Sequence, residues 1–184
     1  YTSDEFQNRI EIFLNSTEQY VFLSSSTVYA KSEEAITEEI PRLLDVCSDE
    51  ELINSDYYPI TKAKEEDMLK ASRKNNWTII RPYISYNTER LQLGIFEKEI
   101  WLWRALKGRS IPIPKDVASR RTTMTYSVDV AKMMLLCIGN KDSYGEIYHV
   151  TGNQSMTWKK VLDIYCAVIE EEMGIKNKIY MPDT

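Results

Sequence analysis

Hydrophobic patterning predicts an α/β fold with a mainly parallel sheet. Unbroken apolar runs of four or five residues alternate with longer amphipathic segments along the 184-residue chain. Such short runs are typical of strands buried on both faces, as the strands of a parallel sheet are. Strands that alternate with helices of ten or more residues indicate βα units, in which each helix crosses over to the next parallel strand.

The first half of the chain is predicted to contain two strands and two long helices. A helix is predicted where apolar residues recur every three to four positions, and a strand where they form a short continuous run. Pro59 marks the first turn of the second helix, because proline is tolerated where the backbone amide is unpaired. In chain order the elements are a helix over 4–15, a strand over 20–23, an acidic loop over 31–57 with a short helix near 38–44, a helix over 58–74 and a strand over 77–80 that Arg81 and Pro82 end.

The second half adds one strand and three helices. Glycines at the helix ends and a serine or threonine at the helix starts give the boundaries, since both are preferred capping residues. The predicted elements are a helix over 92–107 ended by Gly108, an extended segment over 111–114, a helix over 127–140 that is capped by Ser127, a strand over 146–150 and a helix over 157–173 ended by Gly174.

Composition indicates an ordinary globular domain. The chain is 43% hydrophobic and 28% charged, with a formal net charge of −5, which does not favour nucleic-acid binding. No run of about 18 apolar residues is present for a membrane helix, and no signal-peptide pattern opens the chain. The three cysteines lack a Cys-x-x-Cys spacing and indicate reduced thiols. We therefore expect a cytoplasmic protein without nucleic-acid or membrane partners.

Metal catalysis finds no support in the sequence. His149 is the only histidine, and its position in a predicted strand favours a packed or hydrogen-bonded residue. The aromatic residues Phe96, Trp101 and Trp103 share one predicted helix. They are expected to pack in a core, with a wall of a substrate-binding region as the alternative.

Tyr58 and Lys62 form the strongest chemical signal. Four positions apart on a helix, they share one face. An ammonium beside a phenol stabilises the phenolate, which can then exchange a proton with an alcohol near neutral pH. Ser25 follows the first predicted strand and can hydrogen-bond the same substrate oxygen. These side chains predict a proton-transfer site; a surface helix with a chance tyrosine and lysine is the alternative.

Six segments in consecutive order resemble the extended short-chain dehydrogenases/reductases of the NAD-dependent epimerase/dehydratase family. Three of them are Phe-Leu-Ser-Ser-Ser-Thr-Val-Tyr-Ala at 22–30, Tyr-x-x-x-Lys-x-x-x-Glu at 58–66 and Arg-Pro within 78–86. The other segments are 37–39, 126–131 and 145–152. The resemblance implies a partial Rossmann-like sheet, formed by residues 1–86 with the helix 127–140. It also implies a small substrate-binding lobe, formed by 87–126 and 142–184.

Roles for individual residues follow from the resemblance alone. It implies NAD or NADP as cofactor, a small-molecule substrate such as a nucleotide-sugar, and a homodimer. The catalytic residues would be Ser25, Tyr58 and Lys62, and the cofactor would also contact Ser24, Pro82, Tyr83 and Ile84. Thr27, Asn87 and Arg121 would bind substrate.

Departures from the family pattern narrow the expected reaction. The glycine-rich phosphate loop of the family is absent, from which we expect that the part carrying the first strands is missing. Ser26 and Thr27 stand where the family's dehydratases carry an acidic pair, which disfavours a 4,6-dehydratase and favours an epimerase or a reductase. A reductase acting on a non-sugar carbonyl and a non-catalytic nucleotide-binding protein remain the alternatives.

Overall fold

A computed structural model describes residues 2–183 of the chain. The helices are α1 (Ser3–Ser16), α2 (Leu43–Val46), α3 (Glu50–Ile53), α4 (Tyr58–Ala71), α5 (Lys98–Leu106), α6 (Lys115–Ser119), α7 (Ser127–Cys137) and α8 (Trp158–Met173). The strands are β1 (Tyr20–Leu23), β2 (Trp77–Pro82), β3 (Ile84–Tyr86), β4 (Ile111–Pro112), β5 (Arg121–Tyr126), β6 (Glu146–Val150), β7 (Ser155–Thr157) and β8 (Ile179–Tyr180). The α/β class predicted from the sequence is confirmed.

The chain divides into two compact units, Tyr1–Tyr83 with Val128–Thr151 and Ile84–Ser127 with Gly152–Thr184. The first unit contains a parallel sheet of order β1-β2-β6. Successive residues of β2 point to opposite faces. Ile79 packs against α1 and α4, and Ile80 packs against α7. Both faces of the sheet are therefore covered, which explains why its strands appear as unbroken apolar runs.

The second unit is built around α5, α8 and short strands. Its sheet has the order β3-β5-β7, in which β5 pairs with β3 in parallel and with β7 antiparallel, and β4 pairs separately with β8. The stacked rings of Trp101 and Tyr165, 4.5 Å between centroids, lie in its core. The prediction that Trp101 packs in a core is confirmed, whereas Trp103 is exposed and lies under the guanidinium of Arg109.

Several boundaries differ from the sequence-based expectations. β2 continues beyond Ile80 and ends at Pro82. Arg81 can remain in the buried strand because Glu66 is its buried partner. The expected helix over 92–107 begins only at Lys98, because Gly94 adopts a left-handed conformation in a turn that precedes it. β6 pairs with β2, so residues 142–151 belong to the first unit and not to the expected lobe.

The loop between β1 and α4 also differs from expectation. In place of one helix near 38–44 it contains the two short helices α2 and α3.

Over residues 2–183, no helix combines the length and the apolar character that crossing a membrane requires.

Candidate functional site

The carboxyl ends of β1, β2 and β6 lie at one edge of the parallel sheet. In parallel α/β sheets ligands bind at this edge, where loops follow the strands. The segment that follows β1 is held against β2 by two hydrogen bonds. The Ser24 backbone N–H donates to the Ile80 carbonyl at 2.8 Å, and the Ser26 hydroxyl donates to the Pro82 carbonyl at 3.1 Å. Ser24 and Ser26 are therefore anchored, with Ser25 between them.

Glu66 is the centre of a buried polar cluster below this edge. Its carboxylate accepts hydrogen bonds from Arg81 at 2.8 and 2.6 Å and from the Ser24 hydroxyl at 2.7 Å. All three side chains are almost fully buried. Burial by itself would raise the pKa of Glu66, but the hydrogen bonds and charge of Arg81, with Ser24 and Arg42, outweigh it and hold the pKa below its usual range. Glu66 is therefore a buried carboxylate ion.

Arg42 connects the loop after β1 to the same cluster. Its guanidinium donates to the Ala63 carbonyl at 3.0 Å and to Glu66 at 3.3 Å, and pairs with Asp45 at 2.6 Å and Asp67 at 2.8 Å. Burial opposes the charge of Arg42, but the carboxylates of Asp45 and Asp67 raise its pKa above the ordinary value. The loop is therefore tied to the helix that carries Tyr58 and Lys62.

Ser25 has a defined hydrogen-bond environment. It precedes a single 3₁₀ turn, and its Oγ accepts hydrogen bonds from the Thr27 backbone N–H at 3.2 Å and the Thr27 hydroxyl at 2.9 Å. A serine hydroxyl can accept two hydrogen bonds and donate one. With both acceptor positions used by Thr27, the hydroxyl hydrogen of Ser25 is left to donate to a bound oxygen. Thr27 thus lies where it orients Ser25.

Tyr58 and Lys62 lie one helical turn apart at the start of α4. Tyr58 is the first residue of the helix and is 53% exposed, so its phenol is accessible. The Lys62 ammonium lies 6.0 Å from the centroid of the Tyr58 ring and 4.7 Å from that of Phe22. It is bonded to Glu65 at 2.9 Å. The two side chains share a face, as predicted, and Lys62 also has an acidic partner that the sequence analysis did not identify.

His149 lies at the end of β6. Its backbone N–H donates to the Glu38 carboxylate at 2.7 Å, and its ring packs against Tyr29 with 5.3 Å between centroids. Burial lowers the pKa of His149, so its ring is neutral at pH 7. It is a packed residue, as predicted. Among residues 2–183, no group of three or more histidine, cysteine, aspartate and glutamate side chains is arranged to hold a metal ion.

The remaining cofactor-binding candidates lie on either side of the boundary between the units. Tyr83 is exposed and ends the first unit. Ile84 begins β3, pairs with Met124 and packs against the core of the second unit. The side chain of Ile84 is thus engaged in packing.

The two substrate-binding candidates of the second unit, Asn87 and Arg121, have local partners. The Asn87 side-chain oxygen accepts from the backbone N–H groups of Glu89 and Arg90, so it closes a tight turn. Only glycines have positive φ within residues 2–183, so Asn87 is not left-handed. The Arg121 guanidinium donates to the Ser155 carbonyl and hydroxyl at 2.7 and 3.1 Å, which directs it along β7.

Sequence analysis did not identify Arg42 and Glu65, and it gave Arg81 no role beyond ending a strand. One signal was available for Arg81 and Glu66. Arg81 directly follows an unbroken apolar run, and Glu66 lies on a helix face that also carries apolar residues. Together these positions indicate a buried ion pair. Arg42 lies in an acidic, irregular segment, and no local pattern distinguishes it from a solvated surface arginine.

Comparison with known proteins relates the fold and the sequence to one family. The sequence profile described as the NAD dependent epimerase/dehydratase family matches residues 10–151. The chain is 30% identical over 146 residues to the chloroplast stem-loop binding protein of 41 kDa b from Arabidopsis thaliana, covering 79% of this chain and 34% of that protein.

The solved structures that share the fold include two sugar-nucleotide enzymes. One is the UDP-glucuronic acid 4-epimerase of Bacillus cereus in complex with UDP-glucuronic acid and NAD. It has a TM-score of 0.70 and 19% identity, over 97% of this chain and 53% of that chain. The other is the dTDP-glucose 4,6-dehydratase of Bacillus anthracis in complex with NAD. It has a TM-score of 0.70 and 16% identity, over 97% of this chain and 54% of that chain.

The chain thus spans about half the length of these structures and about a third of the curated relative. The resemblance drawn from the sequence motifs is confirmed by the profile. Since that profile covers most of the sequence and the fold is shared over nearly all of it, the chain belongs to the NAD-dependent epimerase/dehydratase family.

Proposed function

We propose that the chain carries the proton-transfer residues of an NAD(P)-dependent nucleotide-sugar epimerase. The observation that carries this proposal is the combination of an exposed Tyr58, a lysine one turn later, and a serine anchored at the carboxyl end of β1. Family membership supports it, and the two solved structures described above are complexes with NAD.

The residues present fit one end of a dinucleotide. Lys62 is partly exposed on α4 and keeps N–H donors beyond the one bonded to Glu65, so it can hold ribose hydroxyl groups beside Tyr58. Pro82 ends β2 and Tyr83 follows it at the carboxyl edge of the sheet, where a nicotinamide ring would lie. The pyrophosphate finds no glycine-rich cradle, because the first glycine of the chain is Gly94 in the second unit.

An open edge supports the idea that another part of the protein supplies this cradle. β1 lies at the edge of the sheet, and Leu23 is 52% exposed. A cavity of about 160 Å³ lies alongside, with the aromatic rings of Phe6, Phe13, Tyr20 and Phe22 in its wall. Unpaired strand edges favour the addition of a further strand. We infer that a dinucleotide-binding segment outside these 184 residues adds to β1.

Each of the three side chains then has a chemical role. Tyr58 takes the proton of the substrate hydroxyl as a general base and returns it as a general acid. Ser25 donates a hydrogen bond to the same oxygen, for which its hydroxyl hydrogen is available. Lys62 stabilises the phenolate of Tyr58 through its positive charge. When bound, NAD(P) supplies reversible hydride acceptance at the substrate carbon.

Two other functions would differ from epimerisation in the products formed or in the ligand bound. A reductase of non-sugar carbonyls would use the same three residues but give net oxidation or reduction of the cofactor. A non-catalytic role is favoured by one observation, the 30% identity to a stem-loop binding protein. The net charge of −5 does not favour RNA, since nucleic-acid affinity depends on cationic side chains that contact phosphates.

The test measures NAD and NADP binding by calorimetry on this chain and, where the gene encodes more, on its full product. The full product is then assayed with a panel of UDP-sugars, with the Tyr58→Phe variant and with an RNA stem-loop. Tyr57→Phe is the matched control, because Tyr57 is a neighbouring exposed tyrosine outside the Tyr-x-x-x-Lys spacing.

The proposal expects epimerisation without net change in cofactor redox state. It expects about a hundredfold or greater loss in Tyr58→Phe, the scale of general acid-base catalysis, and little change in Tyr57→Phe. Equal activity of Tyr58→Phe and the unchanged protein would exclude this role for Tyr58. Tight stem-loop binding without turnover of any sugar would favour the non-catalytic alternative.

A further inference from the structure

We propose that Glu65 is a positioning residue for Lys62: its buried carboxylate binds the lysine ammonium and fixes where that ammonium lies on α4. The proposal rests on the function proposed above for its meaning, because that function requires Lys62 beside Tyr58. The pair itself is a feature of the chain whether or not the protein turns over a sugar.

The two partners of the pair differ in burial. The Glu65 side chain is 1% exposed and that of Lys62 is 20% exposed, with 2.9 Å between the lysine Nζ and the carboxylate Oε2. A buried carboxylate without a partner is strongly unfavourable, whereas a partly exposed ammonium can be solvated by water. Glu65 therefore depends on Lys62, and the dependence holds Lys62 in place.

The neighbouring carboxylate does not compete for Lys62. Glu66 is also fully buried, but it is satisfied by Arg81, Arg42 and Ser24. Two consecutive buried glutamates thus have separate cationic partners. The Tyr-x-x-x-Lys-x-x-x-Glu spacing includes Glu66 and does not specify the residue at position 65.

The position of the ammonium follows from its contacts. Lys62 and Glu65 are three residues apart on α4, so their side chains meet on one face. The ammonium lies 4.7 Å from the centroid of the Phe22 ring and 6.0 Å from that of Tyr58. Lys62 and Glu65 also line the cavity of about 160 Å³ beside β1. The cavity leaves Lys62 room to move when the carboxylate is removed.

A ligand can bind Lys62 without displacing Glu65. An ammonium has three N–H donors, and the bond to Glu65 uses one of them. The other two can donate to hydroxyl groups of a ribose or sugar. Glu65 thus limits the rotamers of Lys62 and presents its free donors in one direction, which reduces the entropy lost when a ligand binds.

The test measures the reactivity of Lys62 toward an acylating reagent. The 184-residue chain is treated with N-hydroxysuccinimidyl acetate, and the acetylation rate of each lysine is obtained by peptide mass spectrometry. The Lys62 amine must leave its ion pair with Glu65 before the reagent can acylate it, so the contact with the carboxylate slows the reaction. Glu65→Gln keeps the side-chain size and removes the charge, Glu51→Gln is an exposed-carboxylate control, and Lys64 on the same helix is the internal reference.

The expected result is an acetylation rate of Lys62 that rises about tenfold in Glu65→Gln, the factor that corresponds to losing one charged hydrogen bond. Lys64 in the same protein, and Lys62 in Glu51→Gln, should keep their rates. An unchanged rate for Lys62, or an equal rise at Lys64, would overturn the proposal, since the latter indicates a general loosening of the helix.

A second variant tests the proposal if Glu65→Gln does not fold. Glu65→Asp keeps the charge and withdraws the carboxylate by one methylene group, and it should raise the Lys62 rate in the same direction; an unchanged rate overturns the proposal. The labelling needs neither cofactor nor substrate. A negative result therefore counts against the positioning role alone, and loss of turnover in Tyr58→Phe is decided separately.

Discussion

At the scale of single residues, Glu66 shows how one buried charge joins segments distant in the chain. Its carboxylate receives the Ser24 hydroxyl after β1, the Arg81 guanidinium on β2 and the Arg42 guanidinium from the loop. The arrangement does not imply a gain over an apolar core, because burying charges costs solvation energy. Its effect on the site is geometric, since this carboxylate of α4 binds Ser24, the residue directly before Ser25.

Removal of the Glu66 carboxylate should be strongly destabilising. Glu66→Ala leaves Arg81 buried without its partner, for which we expect a loss of about 3–5 kcal/mol in the free energy of unfolding. Urea unfolding measures it. The control is Glu11→Ala at an exposed position of α1, expected to change stability by less than about 0.5 kcal/mol. Equal effects of the two variants would contradict the assignment of a buried ion pair.

The same residue predicts a pH dependence. The pKa of Glu66 is lowered in the folded protein, so its contribution to stability is present above the unfolded-state pKa of about 4.3. This contribution is lost as the pH falls through the folded-state pKa. The free energy of unfolding of the unchanged protein and of Glu66→Gln is measured in urea between about pH 2 and pH 7. The difference between the two should be constant above the unfolded-state pKa and should shrink as the pH falls below it. A difference independent of pH would contradict it.

At the scale of elements, the glycines at helix ends and turns decide where segments stop. Gly174 caps α8 with a φ of +67°, and Gly94 has a φ of +59° in the turn before α5. A side chain at either position strains the backbone. At Gly94 an added Cβ would also approach the Val117 Cγ1 atom to 2.7 Å, whereas nothing lies within 4 Å of one at Gly174.

A graded series of glycine variants tests this account. Gly174→Ala should cost about 1 kcal/mol for the left-handed conformation, and Gly94→Ala should cost more because the clash is added. Gly152→Ala is the control, since its Cβ would make an ordinary contact of 3.7 Å with Thr125 Oγ1. Thermal unfolding of the three variants gives the order, and a control as destabilised as Gly94→Ala would contradict it.

At the scale of the whole molecule, α7 leaves apolar surface uncovered. Leu135 and Leu136 of α7 are 64% and 76% exposed, and Ile138, which directly follows the helix, is 57% exposed. Uncovered apolar patches mark surfaces that another polypeptide contacts. The exposed side chains at this end of α7 therefore form a candidate contact surface.

We expect the chain alone to associate at high concentration through this surface. Leu136→Lys should reduce the association, measured as the mass from light scattering on a sizing column, because it places a charge in an apolar contact. Ile95→Lys changes a similarly exposed side chain of the second unit and should leave the association unaltered. The same mass distribution for Leu136→Lys and the unchanged chain would exclude α7 as the contact.

The sequence alone determined the helices α1, α4, α7 and α8 and the strands of the parallel sheet, because periodicity and capping are local properties of neighbouring residues. It also determined the spacing of Tyr58 and Lys62, and ordered motifs sufficed for the family. The tertiary structure decided the strands β3, β5 and β7, whose pairing joins distant segments. It also decided that Arg81 meets Glu66 and that Lys62 is bound by Glu65. A local pattern can mark Arg81 and Glu66 as buried charges, but it does not name their partners, because the partners of a buried charge are the groups that folding places within hydrogen-bonding distance of it.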